Sequence, residues 1–192
     1  EALERYDIDD IAIAFTGGKD STLLLHIISL VCKEESIEIP QCLCIDEGDM
    51  FDEIKDFIKK IKEEYGVKVK YIHNSDVSSA AGNEIGAMVK VSDLNERNKK
   101  EVARLGYEED EFPYEPESFV GNHLMKTVTL NKYLEDNNIK AFFEGIRWDE
   151  QEARMDEEYF SPRPGSEYSP EHMRVCPILH FTEKDVWDTI FQ

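Results

Sequence analysis

The stretch Ile11-Ala-Ile-Ala-Phe15-Thr16-Gly17-Gly18-Lys19-Asp20-Ser21-Thr22-Leu23 leaves this 192-residue chain the fewest ways to fold. Apolar residues of strand type run directly into two glycines, a polar cluster and an apolar helical run. That order spells a buried strand, a tight turn and a helix N-terminus. Gly17 and Gly18 allow positive φ and a close approach of backbone to a ligand. Asp20, Ser21 and Thr22 suit the first turn of a helix. Free amides at that turn, with the helix dipole behind them, make an anion site. Lys19 adds a mobile positive charge, so the stretch reads as a phosphate cradle. It is not a Walker A loop, which needs a glycine where Ile13 stands and a hydroxyl residue where Asp20 stands.

Downstream, strand and helix patterns alternate. Asp20 to about Lys33 carries Leu23, Leu24, Ile27, Ile28 and Val31 at helical spacing. After Pro40, Gln41-Cys-Leu-Cys-Ile45 reads as a second buried strand, ending at Asp46. Phe51 to Tyr65 is an amphipathic helix with Ile54, Phe57, Ile58 and Ile61 inward, and Gly66 ends it. Val67 to Ile72 alternates as a third strand. Two strand–helix–strand units in succession predict an α/β fold, a doubly wound and mostly parallel sheet with helices on both faces.

Residues 74 to about 120 interrupt the pattern. Glu84–Val91 and Asn95–Leu105 are expected as helices, and the acidic, proline-broken Tyr107–Glu117 as a solvated loop or insertion. Helical spacing returns over Phe119–Leu134. Ile139–Phe143 is a further strand that runs into Gly145-Ile146-Arg147, a second glycine at the strand edge where doubly wound sheets bind ligands. Trp148–Arg154 is helix-forming, Ser161–Pro170 irregular and Arg174–Leu179 extended. Thr182-Glu-Lys-Asp185 caps a last helix. By size the chain is one domain, residues 1–192, with an insertion near 74–120 and an arginine-rich segment at 147–192.

The net charge is -20. Repulsion of that size works against binding to duplex nucleic acid and to anionic membranes, so neither is expected as a partner. Of the seven arginines, four fall between Arg147 and Arg174, which marks a local anion site in an acidic chain. No stretch approaches the roughly 20 apolar residues of a membrane helix. The N-terminus is polar and charged, so no signal peptide is expected and the location is expected to be cytoplasmic. Cys32, Cys42, Cys44 and Cys176 form no metal-type pair. Cys42 and Cys44 share one face of a strand about 6–7 Å apart, too far for a disulfide. The four are expected as small buried thiols. His26, His123, His172 and His180 share no metal-ligand spacing and are read as ordinary.

Thr16-Gly17-Gly18-Lys19-Asp20-Ser21 resembles the PP-loop of the ATP pyrophosphatases, with Thr16 keeping the hydroxyl of the usual serine. The resemblance widens along the chain. Gly145-Ile-Arg147-Trp-Asp149-Glu150-Gln-Glu-Ala-Arg154 is similar to a segment of the superfamily of phosphoadenosine phosphosulfate reductases and sulfate adenylyltransferases. Tyr159-Phe160-Ser161-Pro-Arg163, Arg174-Val-Cys-Pro177 and Phe181-Thr182-Glu183-Lys-Asp185-Val-Trp187 continue it. Ile45-Asp46 with Phe51 and Glu53 resembles the family's second strand and following helix. Met125-Lys126-Thr127-Val-Thr-Leu130 looks like the small, ATP-cleaving subunit of the bacterial sulfate adenylyltransferases. Reductases with an iron–sulfur cluster tend to carry Cys-Cys there, and this chain does not, so no cluster is expected.

The resemblance implies an adenine nucleotide alpha hydrolase-like, Rossmann-like fold. It also implies an enzyme that cleaves ATP between the α- and β-phosphates and transfers AMP to an oxyanion, sulfate foremost. Phe15, Thr16, Gly17, Gly18, Ser21, Thr22, Ile45, Asp46 and Gly145 are then expected around the nucleotide. Lys19, Asp20 and Arg147 are expected to act in catalysis, with Asp20 also helping to hold Mg²⁺ beside ATP. Arg154, Arg163 and Arg174 are expected to contact the acceptor or a phosphate, oriented with Arg147 by Asp149 and Glu150. The rival readings are reduction of adenylyl sulfate or its 3′-phosphate, adenylylation of flavin mononucleotide or a thiolation substrate, and a nucleotide sensor without turnover. The family's transferase implies a GTPase-type partner subunit, with a homodimer as the other arrangement. Since no redox thiol is expected, Cys176→Ser should retain nucleotide cleavage and the protein should show no iron–sulfur absorption band. Such a band, or activity lost in this variant alone, would favour the reductase.

Overall fold

The computed structural model describes residues 1–191. A short helix α1 (Ala2–Arg5) precedes strand β1 (Ile11–Ala14), which runs into the long helix α2 (Lys19–Glu35). Then come β2 (Gln41–Ile45), α3 (Asp52–Tyr65), β3 (Val69–Ile72) and α4 (Ser75–Ala80). The middle of the chain holds β4 (Met88–Lys90), α5 (Glu96–Arg104), β5 (Glu111–Pro113), α6 (Phe119–Asn122) and α7 (Thr129–Asp136). The last part holds β6 (Ala141–Phe143), β7 (Phe160–Arg163), β8 (His172–Val175) and α8 (Glu183–Ile190).

Six strands form one sheet in the order β3-β2-β1-β6-β8-β7. All its pairings are parallel except β7 with β8. This is the expected mostly parallel α/β sheet. Strand alternation divides the core. Ile11, Ile13, Phe15, Cys42 and Cys44 pack with Leu24, Ile28 and Ile58 of α2 and α3. Ala12, Leu43 and Phe142 pack with Leu134 and with the partly buried Leu130 and Tyr133 of α7. Both faces are therefore covered, and near-continuous apolar runs suit such strands. The C-terminal helix docks on α2 through Val186 against Leu23 and Ile178. Thr182 and Asp185 form the expected capping box at its start.

The middle of the chain departs from expectation. Residues 84–91 are not a helix, and residues 107–117 are not a free loop. Met88–Lys90 and Glu111–Pro113 pair as an antiparallel ribbon. Val89 and Phe112, facing each other in it, are buried in a second core with Val77, Leu94, Val102, Tyr114 and Leu124. One inward residue per strand leaves a two-residue period too short to read in sequence. The helix expected over 119–134 is interrupted as well, by a π-turn at His123–Val128. The Leu124 carbonyl accepts from Asn74 Nδ2 at 3.0 Å and from Thr129 Oγ1 at 3.1 Å, so side chains satisfy the group the wider turn presents. After Arg147, the expected helix shrinks to a 3₁₀ turn at Glu152–Arg154. The expected irregular loop begins with strand β7 instead. Among the described residues, no helix is long and apolar enough to cross a membrane.

Gly121 marks how closely the second core is built. A Cβ there would lie 2.2 Å from the Glu115 carbonyl oxygen and 2.3 Å from Ser118 Oγ. Backbone on one side cannot yield cheaply, so Gly121→Ala should cost about 3 kcal/mol. Urea unfolding checks this, and an unchanged midpoint would contradict the packing described.

Candidate functional site

The cradle forms because β1 ends under a helix. Phe15 continues the ladder, its N–H donating to Leu43 O at 2.9 Å, and the chain then turns at Gly17, where φ is +79°. A Cβ on Gly17 would meet Ile54 Cγ2 at 3.1 Å, so α3 packs directly over the turn. The Ser21 hydroxyl ties the turn down. It donates to Gly18 O at 3.0 Å and lies 3.3 Å from the Thr16 N–H and 3.4 Å from Thr16 Oγ1. The Thr22 hydroxyl also donates to Gly18 O, at 2.8 Å. Gly18 stands at the N-cap of α2 and offers no side-chain cap, so the first-turn amides keep their capacity for an anion. Thr16, Ser21 and Thr22 thus shape the loop, which the first-turn N–H groups and Lys19 line.

The neighbouring strand ends close around it. Asp46 N–H donates to Ile72 O at 2.8 Å, carrying β2 one residue further. The Asp46 carboxylate accepts from Gly48 N–H at 3.0 Å, which closes a tight turn. The second core leans on that turn, with Tyr114 Oη 3.1 Å from where a Gly48 Cβ would stand and Lys126 3.1 Å from Glu47. On the other side, Gly145 lies against α2. A Cβ there would be 3.1 Å from the carbonyl carbon and oxygen of Asp20. The end of β6 therefore touches the first turn of the cradle helix backbone to backbone.

Arg147, expected to act in catalysis, follows Gly145 by two residues. It is 3% exposed and enclosed by carboxylates. Its Nη1 pairs with Asp20 Oδ1 and lies 3.7 Å from Glu150, while Nε donates to Asp149 at 2.8 Å. Asp149 also accepts the Glu183 N–H at 2.7 Å, so it joins Arg147 to the start of α8. Lys19 Nζ stands 3.1 Å from Asp20 and 3.6 Å from Glu183. Burial pushes the Asp149 carboxyl up, but the Glu183 N–H and Arg147 outweigh it and hold the group below its usual value. Asp149 and Glu150 thus flank Arg147.

The donor set around Asp20 does not fit a resident Mg²⁺. One carboxylate oxygen faces Arg147 and the other Lys19, both cations. No group of three or more His, Cys, Asp or Glu among the described residues is arranged to hold a metal ion. In this arrangement Asp20 ties Lys19 and Arg147 to the first turn.

Arg154, Arg163 and Arg174 gather elsewhere, around two carboxylates that sequence reasoning did not single out. Arg163 and Arg174 each approach Glu157 Oε1 to 2.9 Å, and Arg154 to 3.8 Å. Arg174 Nε lies 2.6 Å from Glu144 Oε2. Burial raises the Glu144 carboxyl above its ordinary value despite the nearby arginines. Burial also pushes Glu157 up, but Arg174 and Arg163 outweigh it and the net shift is down. Glu144 was marked in sequence only by its position before Gly145 and Glu183 only by its place in the Phe181–Trp187 stretch, and nothing marked Glu157. All four cysteines are buried, and burial first of all pushes the Cys176 thiol up to about 12. A cavity of about 530 Å³ lies away from the cradle, beside the β3 edge, among Tyr71, Asn74, Asn98, Lys132 and Tyr133.

Residues 10–192 match the family model of the phosphoadenosine phosphosulfate reductase domain. Sulfate adenylyltransferase subunit 2 of Mycobacterium tuberculosis is 26% identical over 93% of this chain and 53% of its own length. The protein of that name from Pseudoalteromonas translucida is 26% identical over 97% of this chain and 58% of its own. The chain thus spans little more than half the length of the curated relatives it matches. Among solved structures, the Candida glabrata FMN adenylyltransferase with FAD and inorganic pyrophosphate superposes with a TM-score of 0.62 at 16% identity, covering 99% of this chain and 51% of that one. Phosphoadenylyl-sulfate reductase from Candida auris superposes at 0.60 and 13% identity, covering 95% and 71%. Likeness at these identities is likeness of fold.

Removing Arg147 leaves Asp20, Asp149 and Glu150 facing one another without their shared cation. Arg147→Ala should lose about 3–5 kcal/mol in urea unfolding, and Arg147→Lys, which keeps charge without the fork, should lose less. Because the folded state holds Asp149 below its ordinary 3.8, its contribution is complete above about pH 4 and fades as pH falls further. A wild-type midpoint in Arg147→Ala would sink the strapping role.

Proposed function

The chain belongs to the phosphoadenosine phosphosulfate reductase domain family, and on that premise we propose that it cleaves ATP between the α- and β-phosphates and transfers AMP to an oxyanion acceptor, sulfate foremost. The observation that carries this is the cradle, whose uncapped first-turn amides and Lys19 stand at the carboxyl end of β1. In this reading the amides of residues 17–21 and Lys19 hold the β- and γ-phosphates. The α-phosphorus then lies beside Gly145, which packs against the first turn of α2. A sulfate oxygen attacks that phosphorus, the bond to the bridging oxygen breaks, and pyrophosphate leaves with its electron pair. Charge neutralisation and positioning do the work, with no covalent intermediate on the protein. Asp20 and Arg147 act by holding the cradle in place. Arg154, Arg163 and Arg174 are the groups for the acceptor. ATP enters with its own Mg²⁺, and no protein carboxylate is assigned to that ion.

Cys176, the cysteine near the arginines, is buried with its thiol pushed up to about 12, so this residue is not assigned as a reductase thiol. Such a thiol is a poor nucleophile at neutral pH. The names of the curated relatives describe a subunit, which favours a partner subunit, of GTPase type by the resemblance, over a homodimer.

Incubation with labelled ATP and Mg²⁺, with and without sulfate, tests the reaction. Sulfate-dependent release of pyrophosphate is expected, and Lys19→Ala should reduce it about 10²-fold. Sulfite released from adenylyl sulfate would establish the reductase instead. Nucleotide binding with neither product would leave a sensor.

A further inference from the structure

The arginines of the C-terminal segment divide into two groups. Arg147 is spent on holding the cradle, and the other three surround one carboxylate. We infer that the Glu157 carboxylate occupies the place of the acceptor oxyanion as an internal stand-in, and that an incoming tetrahedral dianion binds there by turning Glu157 out. The inference rests on the proposed transfer reaction for the kind of anion, and on geometry for its place.

Both Glu157 oxygens accept from Arg163 Nη2 at 2.9 Å, and Oε1 also accepts from Arg174 Nη1 at 2.9 Å. Arg154 stands by at 3.8 Å. One carboxylate met by three guanidinium groups is an arrangement that also suits sulfate or phosphate, whose oxygens pair with the forked N–H groups of arginine. The fit to the carboxylate is incomplete. Arg163 Nε is buried without a hydrogen-bond partner. Only the Nη2 of Arg163 is used, whereas a tetrahedral anion can take Nε and Nη2 together. A buried donor left unpaired costs free energy, and an occupant that pairs it recovers that cost.

Charge and placement agree. With Glu144 and Glu157 both in place, the three arginines carry one positive charge in excess. With Glu157 withdrawn they carry two, which a dianion neutralises. Glu144 stays, since it anchors Arg174. Trp148 Nε1 donates to the Glu157 carbonyl at 2.9 Å, so the backbone is pinned and only the side chain needs to turn. Arg174 pairs in register with Phe142, two residues before Glu144, so Glu144 and Arg174 leave the same face of the sheet. The next residue, Gly145, touches the first turn of the cradle. The anion place therefore adjoins the nucleotide place.

Sulfate binding measured by titration calorimetry, in chloride of matched ionic strength, tests this in the full chain. Glu157→Gln should bind sulfate about tenfold more tightly than the wild type, and the added change Arg163→Ala should abolish the gain. Glu157→Asp, which keeps the charge and withdraws it by one carbon, should give an intermediate constant and carries the test if the glutamine variant does not fold. Equal or weaker sulfate binding in a folded Glu157→Gln protein, or in the aspartate variant alone, would overturn the stand-in. Pyrophosphate release separates the two readings. Tighter sulfate binding with release indifferent to sulfate keeps the anion place and defeats the transfer reaction. Sulfate-dependent release with an unchanged constant keeps the reaction and defeats the stand-in.

Discussion

The contact on which the rest depends is the one between the end of β6 and the first turn of α2. Gly145 comes so close to Asp20 that a Cβ there would stand only 3.1 Å from its backbone, and one of the two would have to give way. Two residues later Arg147 reaches back and pairs with the Asp20 carboxylate. Strand end and helix start are thus joined twice, once by packing and once by charge. Asp149 extends the joint to α8, and Lys19 stands over it with Asp20 and Glu183. A loop of glycines has little rigidity of its own, because each glycine gives up more conformational freedom on folding than any other residue. Its shape is imposed by the elements packed around it, with α3 above Gly17 and β6 beside Asp20.

Electrostatics explain why the site is so enclosed. A chain of net charge -20 repels the polyanion that a phosphate cradle is built to hold. Its positive charge works only where it is held close to the ligand. Yet the arginines are nearly all compensated, Arg147 by three carboxylates and the other three by Glu144 and Glu157. Buried guanidinium groups without partners would be costly, since desolvation of a charge exceeds what distant attraction returns. A site that must wait for its anion therefore keeps carboxylates at hand, and exchanging one of them for a ligand is cheaper than exposing bare charge.

Much of the sheet was legible because its signals are local. The apolar runs at Ile11–Phe15 and Gln41–Ile45, the helical spacing after Asp20 and the left-handed cap at Gly66 lie within windows of a few residues, and each formed as expected. The second core was not legible. Met88–Lys90 pairs with a strand more than twenty positions away in sequence, and each contributes a single buried apolar residue from its middle. The acidic, proline-broken run around Glu111 suggested solvent exposure, but Phe112 and Tyr114 inside it are buried. The π-turn at His123–Val128 depends on Asn74 capping Leu124 from fifty residues away, a relation no helical period encodes.

Sequence alone determined the strand–turn–helix cradle and the class of the sheet. These follow from backbone preference and from the alternation of apolar and polar residues, which act between near neighbours. Which charges are free and which are paired was decided only by the tertiary structure. Arg147, Arg154, Arg163 and Arg174 look equivalent along the chain, as cations in one segment. Their separation into a strap around Asp20 and a cluster around Glu157 depends on how β6, β8 and α2 bring distant carboxylates within a few ångströms. Coulombic pairing and desolvation act through space, and distance along the chain does not measure them.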